Sequence, residues 1–117
     1  MITLDGVNDV EISGLTIRDA YTEGIKSLNS SLTINRNQFV ENEVAVYLAG
    51  SIGTIEKNVF DQNEGRNFGS ISIRSSKALV SNNTFIGGEA VTTDFESGYS
   101  VRPKMATVRI KRSTMKS

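Results

Sequence analysis

Aliphatic, Asn and Phe residues recur along this chain at constant spacing. Each copy of the pattern has an aliphatic residue, an Asn three positions later and a Phe two positions after the Asn. The complete copies are Ile34, Asn37 and Phe39; Ile55, Asn58 and Phe60; and Val80, Asn83 and Phe85. Ile17 takes the Phe position of a degenerate first copy, so that successive Phe positions are 22, 21 and 25 residues apart. Periods of roughly 20 to 50 residues indicate a solenoid, in which every repeat forms one coil.

A second column of residues supports the same register. An aliphatic residue stands nine positions before the first residue of each copy, and a small residue precedes it directly. These pairs are Gly24 and Ile25, Ala45 and Val46, and Ser70 and Ile71, and Ala90 and Val91 begin a fourth. All the variation in length lies between the Phe and the small residue. The pattern therefore predicts a constant frame of strands with one variable loop in each coil.

Alternation of apolar and polar residues within the repeats predicts β-strands. Residues 44–48 and 70–73 alternate with a period of two, which places alternate side chains on one face of a strand. With this repeat the chain resembles the right-handed parallel β-helix of the pectate-lyase-like superfamily over residues 7–92. The resemblance implies an all-β fold, a right-handed parallel β-helix (solenoid) of about four to five coils. It does not imply a particular reaction, because lyases, hydrolases, epimerases, tailspikes and non-catalytic modules share the repeat.

Stacking of the coils predicts structural roles for the repeated residues. Equivalent strands lie about 4.8 Å apart, so that Phe39, Phe60 and Phe85 are expected to form one inner column. At the tight turn, Asn37, Asn58 and Asn83 are expected to form a ladder of side-chain amides that satisfies buried backbone groups. Asn42 and Asn63 follow their Phe residues by three positions and predict a second, shorter ladder.

Composition excludes several kinds of chemistry. The chain has 117 residues without Cys or His, which excludes disulfides, thiolate chemistry, His-ligated zinc and a serine triad. The chain contains no apolar run of about 18 residues, so that nothing in the sequence predicts a membrane span. The first residues resemble a strand and not a signal peptide. For a module of this resemblance we nevertheless expect an extracellular or cell-surface location.

Charge divides the chain into two parts. Residues 1–101 contain all 13 acidic residues, whereas residues 102–117 contain six basic residues and no acidic one. The repeat also stops here, and Met105 alone fits the Phe column. We therefore predict β-helix coils over residues 1–95 and an irregular or edge-strand basic tail over 96–117. Because the tail has no aromatic residue among its cations, we favour a solvated or end-covering strand over polyanion contact and predict no nucleic-acid partner.

The ends of a solenoid carry unpaired strand edges unless an element caps them. No capping element is recognisable before the first repeat. We therefore expect an incomplete or uncapped β-helix, which associates with itself or with additional β-helix coils through its open ends.

Acidic residues form two columns beside the variable loop. Four residues after each Phe position stand Tyr21, Glu43, Glu64 and Glu89, and two residues after it stand Asp19, Glu41 and Gln62. Stacked carboxylates repel one another unless they turn into water or share a cation. Because oxygen ligands without His or Cys suit Ca²⁺, Glu43, Glu64 and Glu89 are a candidate calcium site. The alternative is a solvated row of turn residues.

The adjacent strand has an expected outward column of Lys26, Tyr47, Ser72 and Thr92. Together with the extended loop at residues 65–69, this column suggests that Lys26, Tyr47, Arg66 and Phe68 bind carbohydrate. In the lyases that the fold resembles, Ca²⁺ or a cation neutralises a uronate carboxylate while Lys, Arg or Tyr removes the adjacent proton. Acidic side chains on neighbouring coils would also have about the separation that the two catalytic carboxylates of a glycosidase require.

Three function classes remain open. The first is a β-helix module that binds polysaccharide and has a scaffolding role. The second is a fragment of a polysaccharide lyase, hydrolase or epimerase, and the third is a structural or assembly spacer without a ligand. Only one loop is extended, whereas an enzyme is expected to have several long loops on one flank. This favours binding or scaffolding over catalysis.

Overall fold

The computed structural model describes residues 1–63, 70–87 and 91, together with the backbone of residues 92–93, 107–111 and 114–116. The described residues form strands and turns and contain no helix. The strands are, in chain order, β1 (Ile2–Asp5), β2 (Val10–Ser13), β3 (Thr16–Arg18), β4 (Glu23–Leu28), β5 (Ser31–Asn35), β6 (Gln38–Val40), β7 (Val44–Ala49), β8 (Ile52–Glu56), β9 (Val59–Asp61), β10 (Ile71–Arg74), β11 (Lys77–Ser81), β12 (Thr84–Ile86), β13 (Val91–Thr93), β14 (Thr107–Lys111) and β15 (Thr114–Lys116).

Three parallel sheets are built from these strands. The first sheet has the order β1-β4-β7-β10-β13, the second β14-β11-β8-β5-β2 and the third β15-β12-β9-β6-β3. Neighbours in each sheet are three strands apart in the chain, because every coil contributes one strand to each sheet. The prediction of an all-β solenoid is therefore confirmed, with about four turns.

The register of the strands confirms the columns predicted from the repeat. Ile17 pairs with Phe39, Phe39 with Phe60, and Phe60 with Phe85. The three Phe rings are buried and stack almost in parallel, with centroids 4.9 Å apart in both pairs. This distance is close to the spacing of parallel strands, so that ring stacking and strand pairing are satisfied together.

The Asn ladder provides hydrogen-bond partners for buried backbone groups at the turn between the second and third sheets. Asn58 Oδ1 accepts hydrogen bonds from the backbone N–H and the Nδ2 of Asn37, at 2.9 and 3.1 Å. Asn83 Oδ1 accepts the same two bonds from Asn58. Each Nδ2 also donates to a carbonyl of the preceding coil, as Asn58 does to Ile34. The shorter ladder repeats this geometry, because Asn42 donates twice to Asn63 Oδ1 at 2.9 Å.

A serine ladder, which the sequence analysis missed, occupies the turn between the first and second sheets. The N–H of Ser30 donates to Ser51 Oγ at 3.2 Å, and the N–H of Ser51 donates to Ser76 Oγ at 2.9 Å. All three side chains are buried. The signal was available, because each Ser stands four positions before the aliphatic residue that opens a copy of the repeat. Every turn of the coil therefore has buried side chains that bond to the backbone.

Each strand of the complete coils ends at a residue with positive φ. Glycine takes four of these positions, and polar or charged residues take the others. The residues are Gly6, Asn29, Gly50 and Ser75 after the first sheet, Gly14, Arg36, Lys57 and Asn82 after the second, and Asp19, Glu41, Gln62 and Gly87 after the third. The left-handed conformation turns the chain sharply, so that a coil of 21 or 22 residues closes.

The basic tail contributes strands to the end of the solenoid. β14 pairs with β11 and β15 pairs with β12, both in parallel. Met115 is the register partner of Phe85 and so continues the Phe column. Met105, the one tail residue that fitted the spacing of the repeat, lies outside the described residues. The spacing of the repeat, extended from Val91, does not predict the pairing of Met115 with Phe85, because the connection between β13 and β14 is longer than the corresponding connections in the other coils. The predicted boundary between residues 95 and 96 stays a prediction.

Candidate functional site

The outer face of the first sheet carries an open groove near the start of β4 and β7. Lys26 and Tyr47 are adjacent register partners on these strands, and both side chains are half-buried. Alternation along each strand turns them away from Ile25 and Val46, which lie in the core. The groove has a volume of about 500 Å³ and is lined by Tyr21, Thr22, Glu23, Lys26, Leu28, Glu43, Val44 and Tyr47. We call it the Tyr47 groove.

Tyr21 and Glu43 connect this groove to a second one on the adjacent turn. The second groove, of about 710 Å³, is lined by Asp19, Ala20, Tyr21, Glu41, Asn42, Glu43 and Gln62. Tyr21 is 96% exposed, so that its ring lies free beside both grooves. Glu43 is held in place through its backbone, because its N–H donates to the carbonyl of Ala20 at 2.9 Å.

Charges in the two grooves are mixed. The Tyr47 groove has the carboxylates of Glu23 and Glu43 and the ammonium group of Lys26. In the second groove, Arg18 bonds to Asp19 at 3.2 Å and approaches Glu41 at 3.8 Å. These two ion pairs are exposed, and exposed pairs contribute little stability. Acceptors and a donor thus flank the tyrosine rings.

The column of Asp19, Glu41 and Gln62 has a structural explanation. All three residues have positive φ and end strands of the third sheet. None of the three is branched at Cβ, and β-branched residues are the ones that this conformation disfavours most. The polarity of this column therefore needs no ligand to explain it.

Three of the residues predicted to form the site come together in the structure. Lys26, Tyr47 and Glu43 all line the Tyr47 groove. Arg66, Phe68, Glu64 and Glu89 lie outside the described residues. Glu23 also lines the groove and was not predicted. It stands three residues before Lys26, and in a regular strand this spacing places two side chains on opposite faces, so that alternation gave no signal for it.

The prediction of a continuous outward column was wrong at Ser72. Ser72 is the register partner of Tyr47, but it is fully buried, as are its neighbours Ile71 and Ile73. Both faces of β10 are covered at this point, whereas alternation alone leaves one face of a strand open. Of the described side chains in this column, Lys26 and Tyr47 are half-buried and Ser72 is buried.

The calcium site stays a prediction. Of the three glutamates, Glu43 belongs to the described part of the chain, where it lies near Glu41 in the second groove. Within that part, no group of three acidic side chains has an arrangement suited to a metal ion.

The chemical character of the Tyr47 groove is that of a surface for a polar ligand with flat apolar faces. The rings of Tyr21 and Tyr47 offer apolar area with a hydroxyl at one end. Glu23 and Glu43 accept hydrogen bonds, and Lys26 donates them. Because Lys26 and Tyr47 lie on paired central strands, their positions are fixed by the sheet.

In the described ranges, no helix has the length and apolarity needed to cross a membrane.

Comparison with known proteins identifies the family. The family model described as "Right handed beta helix region" matches residues 1–116. No curated protein and no solved structure matches the chain. The family match agrees with the three parallel sheets and is consistent with the resemblance to the pectate-lyase-like superfamily. The chain therefore belongs to the right-handed β-helix family.

Proposed function

We propose that this protein is a β-helix module that binds an extracellular polysaccharide in the Tyr47 groove and holds it on a rigid scaffold. The observation that carries the proposal is the pairing of Lys26 with Tyr47 on adjacent coils, beside the exposed ring of Tyr21. An aromatic ring next to charged groups fits a sugar, which has apolar C–H faces and a rim of hydroxyls.

The repeat of the solenoid suits a polymeric ligand. Successive coils are about 4.8 Å apart, which is comparable with the length of one pyranose ring. A chain of sugars that runs along the solenoid axis can therefore place neighbouring rings against neighbouring coils. Tyr side chains bind at low cost in conformational entropy, because they have only two rotatable side-chain bonds.

Binding to a panel of neutral and uronic acid polysaccharides tests the proposal. Titration calorimetry with the parent, Tyr47→Ala and Lys26→Ala should identify one class that binds the parent. Tyr47→Ala should weaken that binding about tenfold or more, as expected for an aromatic anchor. Each titration is run with excess calcium and with chelator, so that a calcium requirement is measured in the same experiment.

Two control variants remove similar side chains from the second sheet. Ile52 is 61% exposed and Lys77 is exposed, and neither lines the Tyr47 groove. Ile52→Ala and Lys77→Ala should leave the affinity unchanged. Equal weakening by the groove and control variants, or no binding to any polysaccharide, would contradict the proposal and favour a spacer without a ligand.

A catalytic function is the second candidate, because Lys26 and Tyr47 are both residue types that can remove a proton next to a uronate carboxylate. The same panel tests it when the absorbance of the carbon–carbon double bond formed by elimination is followed. Turnover that is lost in Lys26→Ala or Tyr47→Ala, with binding retained, would assign a lyase. Binding without turnover supports the module.

A further inference from the structure

The two ends of the solenoid present the edges of the same three sheets. β1, β2 and β3 are the edge strands at one end, and β13, β14 and β15 are the edge strands at the other. In the part of the chain that the structure describes, each of these strands pairs on one side only. Because all strands are parallel, one end of the molecule has the polarity needed to continue the other.

The two ends carry opposite charge. The first coil, residues 1–22, has four acidic residues and one basic residue, Arg18. Its acidic residues are all exposed: Asp5, Asp9, Glu11 and Asp19. The segment with the last three strands, residues 91–117, has six basic residues and two acidic ones, Asp94 and Glu96. Two equal ends repel each other, whereas opposite ends attract.

The first coil also leaves apolar surface at its end. Ile2, Leu4, Val10 and Ile17 pack against the core from one side and are only partly buried. Leu15 is 44% exposed at the adjacent turn. A coil placed on this end would bury these side chains, as the second coil does for its own neighbours.

We propose that copies of this chain associate head to tail, with β13, β14 and β15 of one copy pairing in parallel with β1, β2 and β3 of the next. The register of the second sheet supports this arrangement. Glu11 and Arg109 occupy the same column, through Thr33, Thr54 and Leu79. Continued in register, the stack places Glu11 of one copy next to Arg109 of its neighbour, and opposite charges at directly paired positions stabilise a sheet.

Apolar columns also continue across this junction. Ile12 shares a column with Ile110, and Ile17 shares one with Met115. In-register stacking brings Arg18 next to Lys116, but Arg18 already bonds to Asp19 at 3.2 Å.

The side-chain ladders do not extend across the junction. Asn37 Oδ1 accepts from the N–H of Leu15, and Leu15 has no side-chain acceptor for a preceding coil. Strand pairing, apolar burial and charge therefore hold the copies together, and the contact is weaker than the contact between coils within one chain. Because a head-to-tail contact does not close on itself, the product is an open series of oligomers.

Sedimentation velocity of the full chain over a range of concentrations tests the proposal. The parent should form a series of species that grows with concentration and shrinks in high salt, since salt screens the charges. Glu11→Arg and Arg109→Glu should each weaken association by about tenfold, because each exchanges an attraction for a repulsion. The double variant should associate like the parent.

Mixing the two single variants is the decisive arm. Each variant alone has the same charge at positions 11 and 109, but an equimolar mixture pairs opposite charges at every junction and should associate again. Glu56→Arg is the control, because Glu56 lies on β8 in the middle of the second sheet, and this change should leave association unaltered. Circular dichroism spectra confirm that every variant is folded.

A parent that stays monomeric at high concentration would overturn the proposal. So would a closed dimer that does not grow, or a mixture that associates no better than its components. Head-to-tail association uses the edge strands and not the Tyr47 groove, so that it can be tested independently of polysaccharide binding. We expect Tyr47→Ala to leave the association unchanged.

Discussion

At the scale of single residues, close stacking sets the limits on what each position accepts. Every side chain in the repeat faces its equivalents in the coils before and after it. A residue must therefore fit its own turn and also the side chains of two neighbours. Phe60 and Gly50 illustrate this requirement in opposite ways. Phe60 fills the space between its neighbours, whereas Gly50 leaves room for the side chain of Asn29.

Replacement of Phe60 by Ala should destabilise the protein strongly. The ring is fully buried between Phe39 and Phe85, with centroid distances of 4.9 Å on both sides. We expect Phe60→Ala to lower the free energy of unfolding by about 3 to 5 kcal/mol, measured by chemical denaturation. Phe60→Leu, which conserves more of the volume, should cost less. An unchanged denaturation midpoint in Phe60→Ala would contradict the stacked column.

Gly50 should tolerate Ala less well than Gly14 does. Both glycines have positive φ, which costs a residue with a Cβ about 1 to 2 kcal/mol. A Cβ on Gly50 would lie 2.5 Å from Asn29 Oδ1, whereas a Cβ on Gly14 would have nothing within 4 Å. Gly50→Ala should therefore lower the free energy of unfolding by more than Gly14→Ala. In an Asn29→Ala background, where the contacting oxygen is absent, Gly50→Ala should cost less than it does in the parent. Equal losses in the two single variants would show that the contact with Asn29 is relieved without cost.

At the scale of strands and turns, the ladders hold successive turns in register. The strands of the third sheet have only three residues each, so that their own hydrogen bonds are few. The Asn and Ser ladders supply additional bonds at the turns and fix which residues lie above one another. We infer that the ladders, together with the Phe column, determine the register of these short strands.

Removal of one side chain from the Asn ladder should leave several partners unpaired. In Asn58→Ala, the backbone N–H and the Nδ2 of Asn37 both lose their acceptor, and the carbonyl of Ile34 loses a donor. Since these groups are buried, we expect a loss of about 1 to 3 kcal/mol in the free energy of unfolding. Asn8→Ala is the matched control, because Asn8 is exposed, and it should change stability little. Similar denaturation curves for the two variants would exclude an energetic role for the ladder.

At the scale of the whole molecule, the solenoid separates two possible activities. The Tyr47 groove lies on the outer face of the first sheet, and the strand edges lie at the two ends. A chain that associates head to tail would repeat the groove along the axis of the stack. Many weak contacts with one long polysaccharide would then act together, because each additional groove binds at a high effective concentration.

The repeat in the amino-acid sequence was sufficient to predict the coil, its core and the Asn ladders. Each is encoded by residues that must recur at every turn, so that Phe39, Phe60 and Phe85 reveal the period even in a single sequence. The sequence also placed Lys26 and Tyr47 together on one face, since both their register and their alternation follow from the same period.

The exposure of individual side chains and the pairing of the last strands could be known only from the folded chain. Ser72 has the outward position of Tyr47 but is buried, and Met115 pairs with Phe85 in a tail where the repeat can no longer be recognised. A period specifies which residues are neighbours, but the covering of an outer face and the length of a connection depend on packing between segments far apart in the chain. The same holds for the groove at Tyr21, whose shape arises from side chains of two coils and is encoded in neither alone.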